Sequence, residues 1–287
     1  MTLKRLPSPA LRPFVALIWA SDASSPRTFA PPVREHLLPS GGMHVVFRMS
    51  DGPLRIFGPD DSARAQPVGA ALVGGARSRY YVRELSAPSS SVGAVLRPGA
   101  AQLLLGASAG ELAERHTLLE DLWGAAARSV RERLLEARRS EDRLAILEAT
   151  LAARLPRVHA MHPAIASVLE AVHWLPSVES LVRQGGLSHR SFIAHFRRAV
   201  GLAPKTYLRV LRFQHALRLL RRGNAMSLAA VAAEAGYSDQ SHFHREFVEL
   251  AGTSPMAYLR CAPAEANHLP LGAVSGRAEV KFLQDRG

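Results

Sequence analysis

Gly236-Tyr237-Ser238-Asp239-Gln240-Ser241-His242-Phe243-His244-Arg245-Glu246-Phe247, with Gly252, Pro255, Tyr258, Leu259 and Arg260 behind it, is one half of a duplication. The other half lies 51 residues upstream, where Phe192, Phe196, Gly201, Pro204, Tyr207, Leu208 and Arg209 keep the same seven spacings. Gly186-Leu187-Ser188 and Gly236-Tyr237-Ser238 repeat at an offset of 50, so one residue has been inserted between the glycine turn and the first Phe of the second copy. A solenoid needs about three or more such units. Two units, each a short helical hairpin, predict a pair of helix-turn-helix motifs.

In the second copy Ser227 is placed to cap a helix over Leu228 to Glu234, a run of mostly strong helix formers. Ala235-Gly236 ends it, Gly236 being free to take the left-handed conformation. Ser238 or Asp239 then caps a second helix, Gln240 to Leu250. Its Phe243 and Phe247, four residues apart, share one face, and Gln240, Ser241, His244 and Arg245 occupy others. The first copy repeats the plan, with Ser177 as cap, Val178 to Gln184, a Gly185-Gly186 turn, then His189 to Val200. Between the copies, Pro204 to Arg222 predicts one helix, with Gly223-Asn224 as its stop. Its apolar stripe is Val210, Phe213, Ala216, Leu217 and Leu220; Lys205, Arg209 and Arg212 lie on a different face. At 1.5 Å per residue it spans roughly 27 Å, a strut suited to holding two helices near the ~34 Å repeat of the major groove.

These residues resemble the AraC/XylS-type transcriptional regulators, over about Met161 to Ala262. The run from Gly236 to Phe247 and then Gly252-Thr253-Ser254-Pro255-Met256-Ala257-Tyr258-Leu259-Arg260 matches that family's second helix-turn-helix signature almost position for position. The resemblance implies two recognition helices in successive major-groove segments. It implies base contacts from Gln240, Ser241, His244 and Arg245, and from Arg190, Ser191 and His195 in the first copy, with Arg197 and Arg198 on phosphates. Ile193 and Ala194 stand where the family often has polar or basic residues; such side chains suit a thymine methyl.

Charge agrees with that reading. Lys and Arg total 36 against 24 Asp and Glu, giving a formal +12. Arg157 to Arg260 holds 13 basic and 6 acidic residues, over half of the excess. Such a surplus is the electrostatic footprint of nucleic-acid binding, though an arginine-solvated surface produces it too.

The first 124 residues read differently. Val15 to Trp19, His44 to Met49, Leu54 to Phe57, Ala70 to Val73 and Val92 to Leu96 are short apolar or alternating runs separated by Gly, Pro, Ser and Asp. They predict a mostly-β barrel or sandwich. Leu38-Pro39-Ser40-Gly41-Gly42 reads as a hairpin-type turn, a helical stretch should follow Arg97-Pro98-Gly99, and Glu111 to Arg115 should be a short helix. Two amphipathic helices fit Ala125 to Leu155. This succession, with its Leu-Pro-x-Gly, Arg-Pro-Gly-Ala and Leu-Glu-Asp-Leu-Trp-Gly stretches, is similar to the uncharacterised sensor domain found ahead of AraC-type modules.

The expected fold is therefore α+β and multidomain. Residues 1–124 form a β-rich sensor or dimerisation domain, 125–160 a helical linker, 161–262 a homeodomain-like pair of helix-turn-helices able to fold alone, and 263–287 a flexible tail. The expected function is sequence-specific regulation of transcription. Its expected partners are double-stranded operator DNA, RNA polymerase, a small-molecule effector and a second copy of the chain. Two alternatives are a DNA-targeted enzyme with a catalytic N-terminal domain and a constitutive binder whose N-terminal domain only oligomerises. No cofactor, metal or membrane partner is expected, and the cytoplasm fits the single cysteine, Cys261, and the lack of an 18-residue apolar run. His36 and His44 read as buried or hydrogen-bonded histidines rather than metal ligands. His242 and His244 point apart on a helix, Ser89-Ser90-Ser91 reads as a loop, and nothing near Cys261 would activate a thiol. Phosphate loops, paired carboxylates and a nucleophile elbow are absent from the sequence.

Overall fold

The computed structural model describes residues 2–22, 32–50, 54–59, 66–85, 90–155, 162–172, 177–222 and 226–271. Ser89, the stop at Gly223-Asn224, the boundary at Met161 and the tail beyond Leu271 lie outside them.

The N-terminal half is built from Thr2–Arg5 (β1), Val15–Ser21 (β2), Val33–Leu37 (β3), Met43–Arg48 (β4), Leu54–Phe57 (β5), Gln66–Val68 (β6), Ala71–Gly74 (β7), Tyr81–Leu85 (β8) and Ser91–Leu96 (β9). Helices Ala100–Leu105 (α1) and Ala109–Leu112 (α2), strand His116–Leu118 (β10), then helices Leu119–Trp123 (α3), Ala125–Glu136 (α4) and Ser140–Ala153 (α5) complete it. The strands form two antiparallel sheets, ordered β1-β2-β9-β4-β7-β10 and, with a late strand His268–Pro270 (β11), β11-β3-β8-β5-β6. This is the expected sandwich.

Alternation along β4 divides its neighbours. Met43, Val45 and Phe47 point to the helices and are buried, while His44 and Val46 face the other sheet and are half-buried. Strands β3 and β8 carry too many charges to read as strands, yet they pair with Arg34 opposite Glu84 and Glu35 opposite Arg83. Opposite charges across a ladder stabilise the register that local patterning did not disclose.

Three expectations need correction. Leu38 to Gly42 does not close a hairpin, because β3 and β4 lie in different sheets. Gly41 takes φ +76, and a side chain there would stand 3.1 Å from the Tyr207 ring, so the segment turns against the C-terminal helices instead. The helix expected over Glu111 to Arg115 is Ala109–Leu112, set by a capping box in which Ser108 and Glu111 satisfy each other's backbone N–H groups. The tail expected from 263 onward supplies β11, antiparallel to β3.

The C-terminal half is helical: Pro163–Ala171 (α6), Val178–Gly185 (α7), His189–Val200 (α8), Pro204–Arg221 (α9), Leu228–Glu234 (α10), Gln240–Ala251 (α11) and Pro255–Cys261 (α12). Its two cores are not both self-contained, as the sequence suggested. Leu181, Phe192, Phe196, Val200 and Tyr207 belong to one apolar cluster with Val45, Phe47, Val73, Leu105 and Leu112 of the N-terminal half. The second cluster, around Phe213, Phe243, Phe247 and Tyr258, takes Leu38 and Leu269 from outside, among the described residues.

Candidate nucleic-acid interface

Each helix of the two motifs is fixed at its start by a side-chain cap. Ser177 and Ser188 accept the backbone N–H of Ser180 and Ser191, and Ser227 accepts that of Ala230. Between Ser238 and Asp239 the structure selects Asp239, whose carboxylate accepts the His242 N–H at 2.7 Å. That bond, with the Ser238 hydroxyl, holds the Asp239 carboxyl below the usual range. Gly186 and Gly236, in the left-handed region, turn the chain between the two helices of each motif.

The buried faces fix the exposed ones. Phe243 and Phe247 are fully buried, with Phe247 edge-on to Phe213 at 5.2 Å and to Tyr258 at 5.8 Å. Gln240, Ser241, His244 and Arg245 are consequently left exposed. In α8, burial of Phe192 and Phe196 leaves Arg190, Ala194, His195, Arg197 and Arg198 exposed; Ser191 and Ile193 are half-buried. Arg197 and Arg198 occupy the last turn, where a cation also stabilises the helix C-terminus, so a purely structural use competes with phosphate contact.

The two faces differ in chemistry although their folds repeat. Arg190 corresponds to Ser241, Ile193 to His244, Ala194 to Arg245 and His195 to Glu246. The two exposed faces are therefore not copies of one surface.

Arg209 and Arg212 lie on a polar face of α9, and the sequence alone names no partner for them. Both reach Glu246, at 3.0 and 3.5 Å, and Arg209 also meets Glu249 at 2.7 Å. Glu246 is buried, and its spacing from the aromatic pair hid it as a surface residue. The network ties α11 to α9 beside a cleft of about 1270 Å³ lined in part by Lys205, Arg212, His215, Arg218 and Arg245.

The face of the first sheet turned away from the helices is a second candidate surface. Leu17, Trp19, His44, Val46 and Val95 line it half-buried. At one end Arg77 donates to His116 Nδ1 at 2.9 Å and covers the Tyr81 ring at 4.6 Å, and its Nε is buried and unpaired among the described residues. Burial, with Arg83, His268 and Arg77 nearby, pushes the His44 ring down to about 4; burial, then Arg77, His44 and Arg83, pushes His116 to about 2. Burial would raise the Glu35 carboxyl, but His268 and Arg83 together hold it low.

The other tempting residues take structural places. His36 donates from Nδ1 to the Ala251 carbonyl at 2.8 Å. Burial raises the Cys261 thiol, the opposite of activation. Among the described residues no group of three or more His, Cys, Asp or Glu is arranged for a metal, and no helix is long and apolar enough to cross a membrane.

Residues 181–260 match the family model described as a helix-turn-helix domain, and residues 3–118 match a domain of unknown function (DUF6597). The RCS-specific HTH-type transcriptional activator RclR of Escherichia coli is 31% identical over 102 residues, 34% of this chain and 36% of that protein. The HTH-type transcriptional activator RhaR of Pectobacterium atrosepticum is 35% identical over 80 residues, 28% of each. The chain thus spans about a third of the length of these relatives. A crystal structure of ToxT from Vibrio cholerae overlays 86% of this chain and 97% of that one at 9% identity and a TM-score of 0.43.

Proposed function

We propose that this chain, an AraC-type double helix-turn-helix joined to a DUF6597 domain, is a sequence-specific DNA-binding regulator of transcription. The observation that carries the reading is the pair of capped helices α8 and α11, each with an aromatic face buried and a polar or basic face exposed. They enter successive major-groove segments, with Gln240 suited to adenine, Arg245 to guanine, and Ala194 with Ile193 to a thymine methyl. Arg190 and His195 read beside them, and Arg197, Arg198, Lys205 and Arg218 are available to phosphates, which position the protein without carrying sequence information. The partners are operator duplex, RNA polymerase and a second copy of the chain, which would add avidity by pairing two sites.

Selection from random-sequence duplexes with the full chain tests the reading. It should enrich one asymmetric site, and affinity for that site should fall steeply with salt as counterions return to the phosphates. Recovery of random sequence would defeat it.

The half-buried face of the first sheet, with the Arg77 cluster at its end, is the effector site on this reading. It joins an apolar wall, from Trp19 to Val95, to a polar end whose Arg77 is incompletely paired, so a small molecule with an apolar body and a hydrogen-bond acceptor fits. Linkage requires that such a molecule change operator affinity by the factor by which the operator changes affinity for it. Titrations of each in the presence of the other measure both factors.

A further inference from the structure

Ala199 and Leu250 are equivalent positions of the duplication, and each carbonyl accepts a hydrogen bond from the N-terminal half. Gly99 donates its N–H to Ala199 at 2.8 Å, and Tyr80 donates its N–H to Leu250 at 3.0 Å. One residue later, the Ala251 carbonyl takes the His36 bond. Carbonyls in the last turn of a helix lack an intrahelical partner and usually turn to water or a cap. Here both recognition helices have that need met by the same neighbouring body.

The contact continues into the two equivalent glycines. Gly201 and Gly252 both end their helices in the left-handed region, at φ +93 and +68. A side chain on Gly201 would stand 3.0 Å from the Ala109 carbonyl oxygen, and one on Gly252 would stand 2.5 Å from the Tyr80 ring and 2.7 Å from His36. The His36 and Tyr80 rings are stacked at 4.3 Å. Beside the first joint, α2 runs so close to α8 that a Cβ on Gly110 would come within 3.2 Å of the Arg197 carbonyl oxygen. The connecting helix is held as well, since Gln214 donates to the Pro39 carbonyl at 2.7 Å.

We propose that Gly99, Tyr80 and His36 are positioning residues for DNA reading: by gripping the C-terminal ends of α8 and α11, the N-terminal domain fixes the number of base pairs between the two segments the pair accepts. This rests on the DNA-binding reading above. A step of one base pair moves the next segment by about 3.4 Å and turns it by about 34–36°. A pair of helices joined by α9 alone could follow much of that displacement by flexing at the two ends of α9. A pair also clamped at both recognition helices cannot.

The experiment uses the full chain and the duplex obtained by selection, together with versions whose spacer is one base pair longer or shorter. The quantity read is the ratio of affinities across spacers. For the unaltered protein the ratio should be about tenfold or more, comparable to a mismatched contact. Tyr80→Ala and His36→Ala loosen the α11 joint, and Gly110→Val wedges the α8 joint; each should reduce the ratio to about threefold or less. Tyr80→Phe keeps the stacked ring and the backbone donor and should restore it. A merely structural role would lower affinity for all three duplexes alike and leave the ratio unchanged. That result in Gly110→Val and His36→Ala proteins with native circular dichroism overturns the proposal, as does an unaltered protein indifferent to spacing. Failure to enrich any sequence would instead defeat the DNA-binding reading itself.

Discussion

Single residues carry two separate predictions. Arg245 is exposed on α11 opposite Phe243 and Phe247, so Arg245→Ala should cost ~1–3 kcal/mol on the selected site and relax preference at one or two base pairs. Gel-shift titration on selected and scrambled duplexes decides it; equal losses on both would make Arg245 a phosphate contact. The second prediction concerns His44 and His116, whose rings sit among Arg77, Arg83, His268 and Tyr81 and stay neutral well below pH 6.5. The unfolded chain takes up those protons at an ordinary histidine value, so it binds more protons than the native state in that window. Stability contributed by the neutral rings is therefore present above about pH 6.5 and lost as pH falls toward the depressed values. Between pH 6.5 and 5 each ring should cost up to about 2 kcal/mol. Melting temperatures should drop over that range and drop less in His44→Gln; an unchanged slope would remove His44 from the account. At this scale the sequence showed which residues were exposed, because burial of two Phe per helix leaves little choice. It did not show the Arg77–His116–Tyr81 cluster, which only the crossing of two sheets brings together.

At the scale of elements, α11 is held to α9 by an aromatic face and by a charged one. Phe247 touches the rings of Phe213, Phe243 and Tyr258, so Phe247→Ala should destabilise by ~3–5 kcal/mol in a thermal or urea melt. Glu246→Gln leaves Arg209 and Arg212 without their buried counter-charge; those arginines are half-exposed and can turn to water, so the cost should be a smaller ~1–3 kcal/mol. A double-mutant cycle with Arg209→Met should show coupling between the sites, and strict additivity would refute the network. The helices were legible because 3.6-residue periodicity, caps and glycine stops all coincide in them. Strands β3 and β8 were not, because their charges are satisfied by each other across the ladder, a partnership that single-segment patterning cannot express. The segment Leu38 to Gly42 had the composition of a hairpin turn and is a crossover between sheets. Composition specifies that a chain turns there, not which strand it turns toward.

For the whole molecule, the shared core alters what the helical half can do by itself. Sequence spacing suggested that 161–262 closes its own cores, yet Phe192 and Phe196 lie in one cluster with Val45, Phe47 and Leu112. The fragment should therefore keep slow amide exchange in α10 and α11, whose cluster is largely their own, and lose it in α7 and α8. Equal protection in both motifs would restore the independent-domain expectation. The last strand has a further consequence, for the order in which the protein is made. Until β11 arrives, β3 has β8 on one side and an unpaired ladder on the other. Some 230 residues separate β3 from β11, so at roughly 5–20 residues per second that edge stays open on the ribosome for about ten to fifty seconds. Open ladders recruit other strands. A nascent chain stalled before His268 would carry a sticky sheet edge next to a finished pair of helix-turn-helix motifs, and the N-terminal sheets would be completed only after the helices that follow them.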